Sequence, residues 1–183
     1  MSIWMLLEPR KSLLAELFRQ VDHPQLTPLF ASTEMAAYVD SSPLLVTDDA
    51  KQALSHSVRQ APCDWPGLII ESENSHDALL AHLRHLLIVR FEQTRIGMLR
   101  YWHPAVAERL FSACTDENIA DWLGPINRVH WYSADAIKWQ TRNNPHAAHW
   151  LPANTPSWLS ISVEQSQSLN QPLQSTISNG QES

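Results

Sequence analysis

Two short apolar runs on either side of a polar link constrain this chain more than any other feature. The first is Leu86-Leu87-Ile88-Val89-Arg90-Phe91, the second Gly97-Met98-Leu99-Arg100-Tyr101-Trp102, and Gln93-Thr94-Arg95 lies between them. Leu87, Val89 and Phe91 point one way while Arg90 and Glu92 point the other. In the second run Gly97, Leu99 and Tyr101 alternate with Met98, Arg100 and Trp102. A period of two is the mark of a strand, and so short a link predicts an antiparallel hairpin. A helix carrying Leu79, Leu80 and Leu83 leads in, with Ser75 as its cap. Another helix leads out, with His103 as cap and Pro104 at its first position, where a missing N–H costs nothing.

The remaining elements follow from similar signals. Ile3–Leu7, Leu44–Thr47, Gly67–Glu71 and Arg128–Tyr132 read as strands, the last of them closing the ordered core. Leu26–Phe30 is broken by Pro28, which restricts it to an edge. Leu13, Leu14, Leu17, Phe18 and Val21 form a helical stripe, and Thr33–Val39 reads as a short helix. Asp48 or Asp49 caps a helix through Ala50, Ala53, Leu54 and Val58. The helix from Pro104 turns Val106, Ala107, Leu110, Phe111 and Cys114 inward, and one from Thr115 ends at Gly124-Pro125. The expected fold is a single α/β domain, a mixed and partly antiparallel sheet flanked by helices with the central hairpin inside it, over residues 1–140. Residues 141–183 are expected to form an irregular, Pro/Asn/Ser/Gln-rich C-terminal extension, disordered or conditionally ordered over its final twenty residues, with Trp150 and Trp158 able to dock.

Several function classes drop out on composition. A net charge of -6 argues against a general nucleic-acid binder. Only four glycines occur, at Gly67, Gly97, Gly124 and Gly180, too few and too scattered for a phosphate loop. No apolar run approaches a spanning helix, and Ile3–Leu7 is too short for a signal core, so a soluble cytoplasmic chain without membrane contact is expected. Cys63 and Cys114 fit no metal or redox spacing and read as reduced, partly buried thiols.

Catalytic chemistry finds little support. His82 with His85, and His146 with His149, are spaced to share a helix face. A metal would need a third ligand and an ordered second shell, so surface histidines are the reading, with a small metal-dependent hydrolase as the alternative. There is no Gly-x-Ser-x-Gly elbow, and Asp48/Asp49 and Glu71/Glu73 read as caps and turns. No catalytic residue, metal, cofactor or small-molecule substrate is expected. Arg84, Arg90, Arg95, Arg100 and Arg109 cluster in an otherwise acidic chain. Either they engage carboxylates on a protein partner, or Arg90 and Arg100 pair internally with Glu92 or Glu108.

The segments His82-Leu83-Arg84-His85-Leu86-Leu87-Ile88-Val89, Gly97-Met98-Leu99-Arg100-Tyr101-Trp102-His103-Pro104 and Trp122-Leu123-Gly124-Pro125 resemble the central pattern of a bacterial family of effector adaptors associated with type VI secretion. Ser42-Pro43-Leu44-Leu45-Val46 and Ile3-Trp4-Met5-Leu6-Leu7-Glu8 resemble its opening motifs, and the likeness runs from Met1 to about Trp139. His103 stands where the family pattern has Asp. The resemblance implies a non-catalytic adaptor or chaperone that binds a toxic effector and loads it onto the valine-glycine-repeat spike protein, VgrG. An immunity-type toxin-binding protein is a further alternative. Arg90, Arg100, Trp102, His103, Trp150 and Trp158 are the candidate partner-binding residues.

Overall fold

The first strand is apolar along its length because both of its faces are covered. In the computed structural model β1 spans Ser2–Leu7, and Trp4 and Leu6 enter one core while Met5 and Leu7 enter another. The other strands are β2 (Leu26–Pro28), β3 (Leu44–Thr47), β4 (Gly67–Ser72), β5 (Ile88–Phe91), β6 (Arg95–Met98), β7 (Arg128–Ser133) and β8 (Lys138–Asn143). Six of them form one sheet in the order β2-β3-β1-β4-β7-β8, each pairing antiparallel. β5 and β6 form a separate two-stranded ribbon. The structure describes residues 1–48, 51–91, 94–152 and 159–171. The Asp49 cap, Ala50, Glu92, Gln93, the Trp158 anchor and the tail from residue 172 lie outside the described residues.

Helices cover both faces of the sheet. The helices α1 (Leu13–Gln20) and α2 (Ala53–Gln60) lay Leu13, Leu17, Leu54 and Val58 on Met5, Val46 and Ile69. The Asp48 carboxylate, six residues before Leu54, accepts the N–H groups of Leu54 and Ser55 at 3.1 Å and so stabilises the start of α2. On the other face sit α3 (His76–His85), α4 (Pro104–Ser112) and α5 (Ile119–Leu123), which pack Leu79, Leu83, Leu110, Phe111 and Trp122 against Leu6, Ile70 and Val129. Each fully buried Leu or Ile contributes roughly 2 kcal/mol. The caps form as expected: Ser75 accepts from Ala78, and His103 Nδ1 accepts from Ala105. Gly67, with φ +154°, is required where β4 meets β1, since a Cβ there would lie 2.3 Å from the Leu6 carbonyl oxygen.

The fold departs from the sequence-based expectations at several places. The hairpin is antiparallel but lies outside the main sheet, because Leu159–Ile161 occupies the other edge of β5: Arg90 N–H donates to the Leu159 carbonyl at 2.8 Å, and Ile161 N–H to the Arg90 carbonyl at 2.9 Å. A parallel bridge joins Arg90 to Ser160. Its second strand is Arg95–Met98 rather than Gly97–Trp102, since after the Leu99 N–H bond to the Leu87 carbonyl the chain leaves the ladder and Tyr101 and Trp102 join Leu99 in the core. Tyr101 donates its hydroxyl to the Leu83 carbonyl at 2.7 Å. Leu14 and Phe18 face water at 50% and 59% exposure, so the α1 stripe is narrower than expected. Thr33–Val39 is not an α-helix; a 3-10 helix spans Ala36–Ser41 instead. Arg128–Ser133 is not the last strand, for β8 follows and runs across residue 140. The extension also carries a helix, α6 (Val163–Asn170), packed on α4 and started by a capping box of Ser162 and Gln165.

Candidate partner-binding site

A cleft of about 630 Å³ opens between α3, α5 and the chain that follows β8. α3 contributes Ala81, His82 and His85, α5 contributes Ala120 and Asp121, and the third wall holds His146, His149, Trp150, Leu151 and Pro152. The two histidine pairs, about sixty residues apart in the chain, thus line one opening. His82 is not a surface histidine as expected; it is 4% exposed. Its Nε2 lies 3.0 Å from the Trp122 carbonyl, an acceptor only, so Nε2 carries the proton and Nδ1 keeps a lone pair. Burial lowers its pKa to about 4, opposed by the Trp122 bond and helped by the nearby His85. Gly124 ends α5 at φ +52°, and a Cβ on it would meet the His82 ring at 2.4 Å.

Asn144 holds the third wall in place. Its side chain is buried, its amide donates to the Gly124 carbonyl at 2.8 Å, and its oxygen accepts the His146 N–H at 3.0 Å. Trp150 then stands half-buried with its ring edge-on to His82, centroids 5.6 Å apart, and Leu151 beside it is 82% exposed. Among the described residues no three His, Cys, Asp or Glu side chains come together as a metal-holding group. What the lining offers is an apolar surface with a few imidazoles and one carboxylate. That suits a side chain or short segment of another polypeptide.

The cleft continues into the hairpin through Leu159, which lines it and also bonds β5. Arg90 is exposed on β5. Arg100 is 56% exposed and pairs with Glu8 at 2.9 Å rather than with Glu108, whose carboxylate instead accepts the Trp131 indole N–H. His103 is committed to capping α4. Trp102 does not reach the surface: it is 2% exposed and packs edge-on against Phe30 and Tyr101. Leu159 thus links the cleft that Trp150 lines to the strand that carries Arg90, and Trp102 lies in the core.

Two further groups could suggest catalysis. Cys114 is buried, and burial pushes its thiol up to about 11, so the thiolate is scarce near neutrality. Thr141, His130 and Glu71 form a row across β8, β7 and β4, with contacts of 2.7 and 2.9 Å. Arg128 pairs with the same carboxylate at 2.5 Å, Arg59 approaches it at 4.0 Å, and Thr141 lies on an edge strand. The row cross-links three strands. The row was not legible in the sequence, because β8 was not recognised there, whereas the inward place of Cys114 was.

A family described as a domain of unknown function, DUF4123, matches residues 3–121. No curated protein and no solved structure matches the chain. Among the described residues no helix is long and apolar enough to cross a membrane.

Proposed function

This chain belongs to the DUF4123 family, and we propose that it is a non-catalytic adaptor that holds a type VI secretion effector and loads it onto the VgrG spike. The family includes effector chaperones of that system, which supports the class of function. The observation that carries the reading to this chain is the apolar cleft with half-buried Trp150 and exposed Leu151, continuous with the Arg90-bearing hairpin. Such a surface recognises a polypeptide by a few desolvated contacts and needs no reacting group.

Co-expression with a candidate type VI effector from the same genome, followed by affinity capture, tests the reading. Trp150→Ala should weaken capture by about thirtyfold, equivalent to about 2 kcal/mol, without unfolding the domain. Deleting the gene should stop secretion of that effector while the apparatus still exports others. Loss of every effector would make the protein a core component instead. Neutralisation of the toxin without delivery would favour the immunity-type alternative.

A further inference from the structure

Two acceptors in the wall of the cleft are left without donors among the described residues. His82 is buried and still lines the opening. With its Nε2–H given to the Trp122 carbonyl, its Nδ1 keeps a lone pair that no hydrogen-bond donor among the described residues meets. An acceptor on a buried side chain is costly to leave unmet, and an N–H entering the cleft relieves that cost. Asp121 is the second acceptor. It is exposed, lines the same opening and has no ion-pair partner among the described residues.

Charge and shape around these acceptors select the occupant. Apart from the histidines, Asp121 is the one titratable side chain among the described residues of the lining, and neither lysine nor arginine is present there. The last turn of α3 forms one wall through Ala81, His82 and His85, so the negative end of that helix's dipole lies beside the opening. Both features favour a cation, and an acidic side chain would meet like charge. The remaining wall of Trp150, Leu151, Pro152 and Leu159 is apolar, and an indole ring attracts cations to its face. A basic side chain has this double character. Its aliphatic stem packs on apolar surface, and its head carries N–H donors, three on lysine and five on arginine.

Resting on the adaptor reading, we propose that the cleft receives a lysine or arginine side chain of the effector. The stem lies along Trp150, Leu151 and Leu159, one N–H bonds to His82 Nδ1, and the charge is met by Asp121. His82 then has a task beyond packing. Held in one tautomer by the Trp122 carbonyl, it offers a fixed acceptor that a rotating hydroxyl or amide could not.

Small amides test the proposal without the effector. N-acetyl-arginine amide and N-acetyl-lysine amide are the probes, and N-acetyl-norleucine amide is their uncharged counterpart. Titrated into the full chain with isotope-labelled histidine and tryptophan, at least one basic probe should shift the His82 Nδ1 and Trp150 indole resonances. It should bind at least about tenfold more tightly than the norleucine amide. Asp121→Asn should remove most of that preference and Asp121→Glu should restore it; if the asparagine variant fails to fold, the titrations of the unaltered chain decide. Equal binding of the norleucine amide, preference for N-acetyl-glutamate amide, or binding of a basic probe that leaves His82 unmoved would overturn the proposal. Capture of a candidate type VI effector from the same genome reports separately on the adaptor reading. Capture that Asp121→Asn leaves unchanged would overturn the basic side chain as the occupant while the adaptor stands. Absence of capture for every candidate effector would sink the adaptor reading, even where the cleft binds the basic probes.

Discussion

Acidification from about pH 7.5 to about pH 5 should destabilise this fold through His82. The imidazole is held neutral, its Nε2–H bonded to the Trp122 carbonyl in a buried site, and its pKa falls from 6.5 to about 4. A folded-state pKa below the unfolded value means that the unfolded chain takes up the proton first as pH drops. The stability is fully present above about pH 6.5 and is lost progressively down to about pH 4. At about 1.4 kcal/mol per unit the whole loss is about 3 kcal/mol, of which about 2 kcal/mol has gone by pH 5. His130 is also lowered, chiefly by burial, and adds a loss of the same sign. Glu16 titrates near about 2 and stays charged throughout this window. His82→Gln isolates the effect, since a glutamine amide can still donate to the carbonyl but does not titrate. Urea unfolding at intervals across the range should show the wild-type curve falling about 2 kcal/mol further than that of the variant. Parallel curves, or a resonance of His82 titrating near its ordinary value, would refute the reasoning.

Other substitutions test the packing around the site. Tyr101→Phe strands the buried Leu83 carbonyl and should cost about 1–3 kcal/mol, read as a drop in Tm of roughly 2–4 °C per kcal/mol. Gly67→Ala places a Cβ against the backbone of Leu6, where nothing flexible can yield. It should cost more than about 4 kcal/mol and give no folded protein by circular dichroism. His103→Asp supplies a better cap for α4 and should stabilise by up to about 1 kcal/mol in urea titrations at neutral pH.

How much of this was legible depends on where each element sits. β1, β3 and β4 are short apolar runs, and α3 and α4 announce themselves through Ser75 and Pro104, so their places could be read directly. β8 could not, because Lys138-Trp139-Gln140-Thr141-Arg142-Asn143 is an edge strand with one apolar residue and no buried position. α6 is polar, yet Ser162 and Gln165 were a capping-box signal in plain view. Leu14 and Phe18 continue an apolar stripe that the structure leaves uncovered, which no local pattern distinguishes from a buried one. The cleft was half visible. Both histidine pairs stood out by spacing, but their meeting depends on Asn144 reaching the Gly124 carbonyl, a contact between two loops with no periodic trace.

The position of β1 within the sheet has a consequence for how the protein is made. β1 lies between β3 and β4, so during synthesis it stays half-paired until Ser72 has been made. β4 in turn, apolar at Leu68, Ile69 and Ile70, waits for β7, which begins only at Arg128. At roughly 5–20 residues per second that interval lasts seconds, during which a sticky strand edge is bare. A fragment cut at residue 121, the limit of the family match, would never cover it. Translation pausing, early proteolysis or a premature stop between those points should therefore yield aggregates, and a dependable unit of expression includes β8 together with residues 159–170, which pair with β5 and pack on α4.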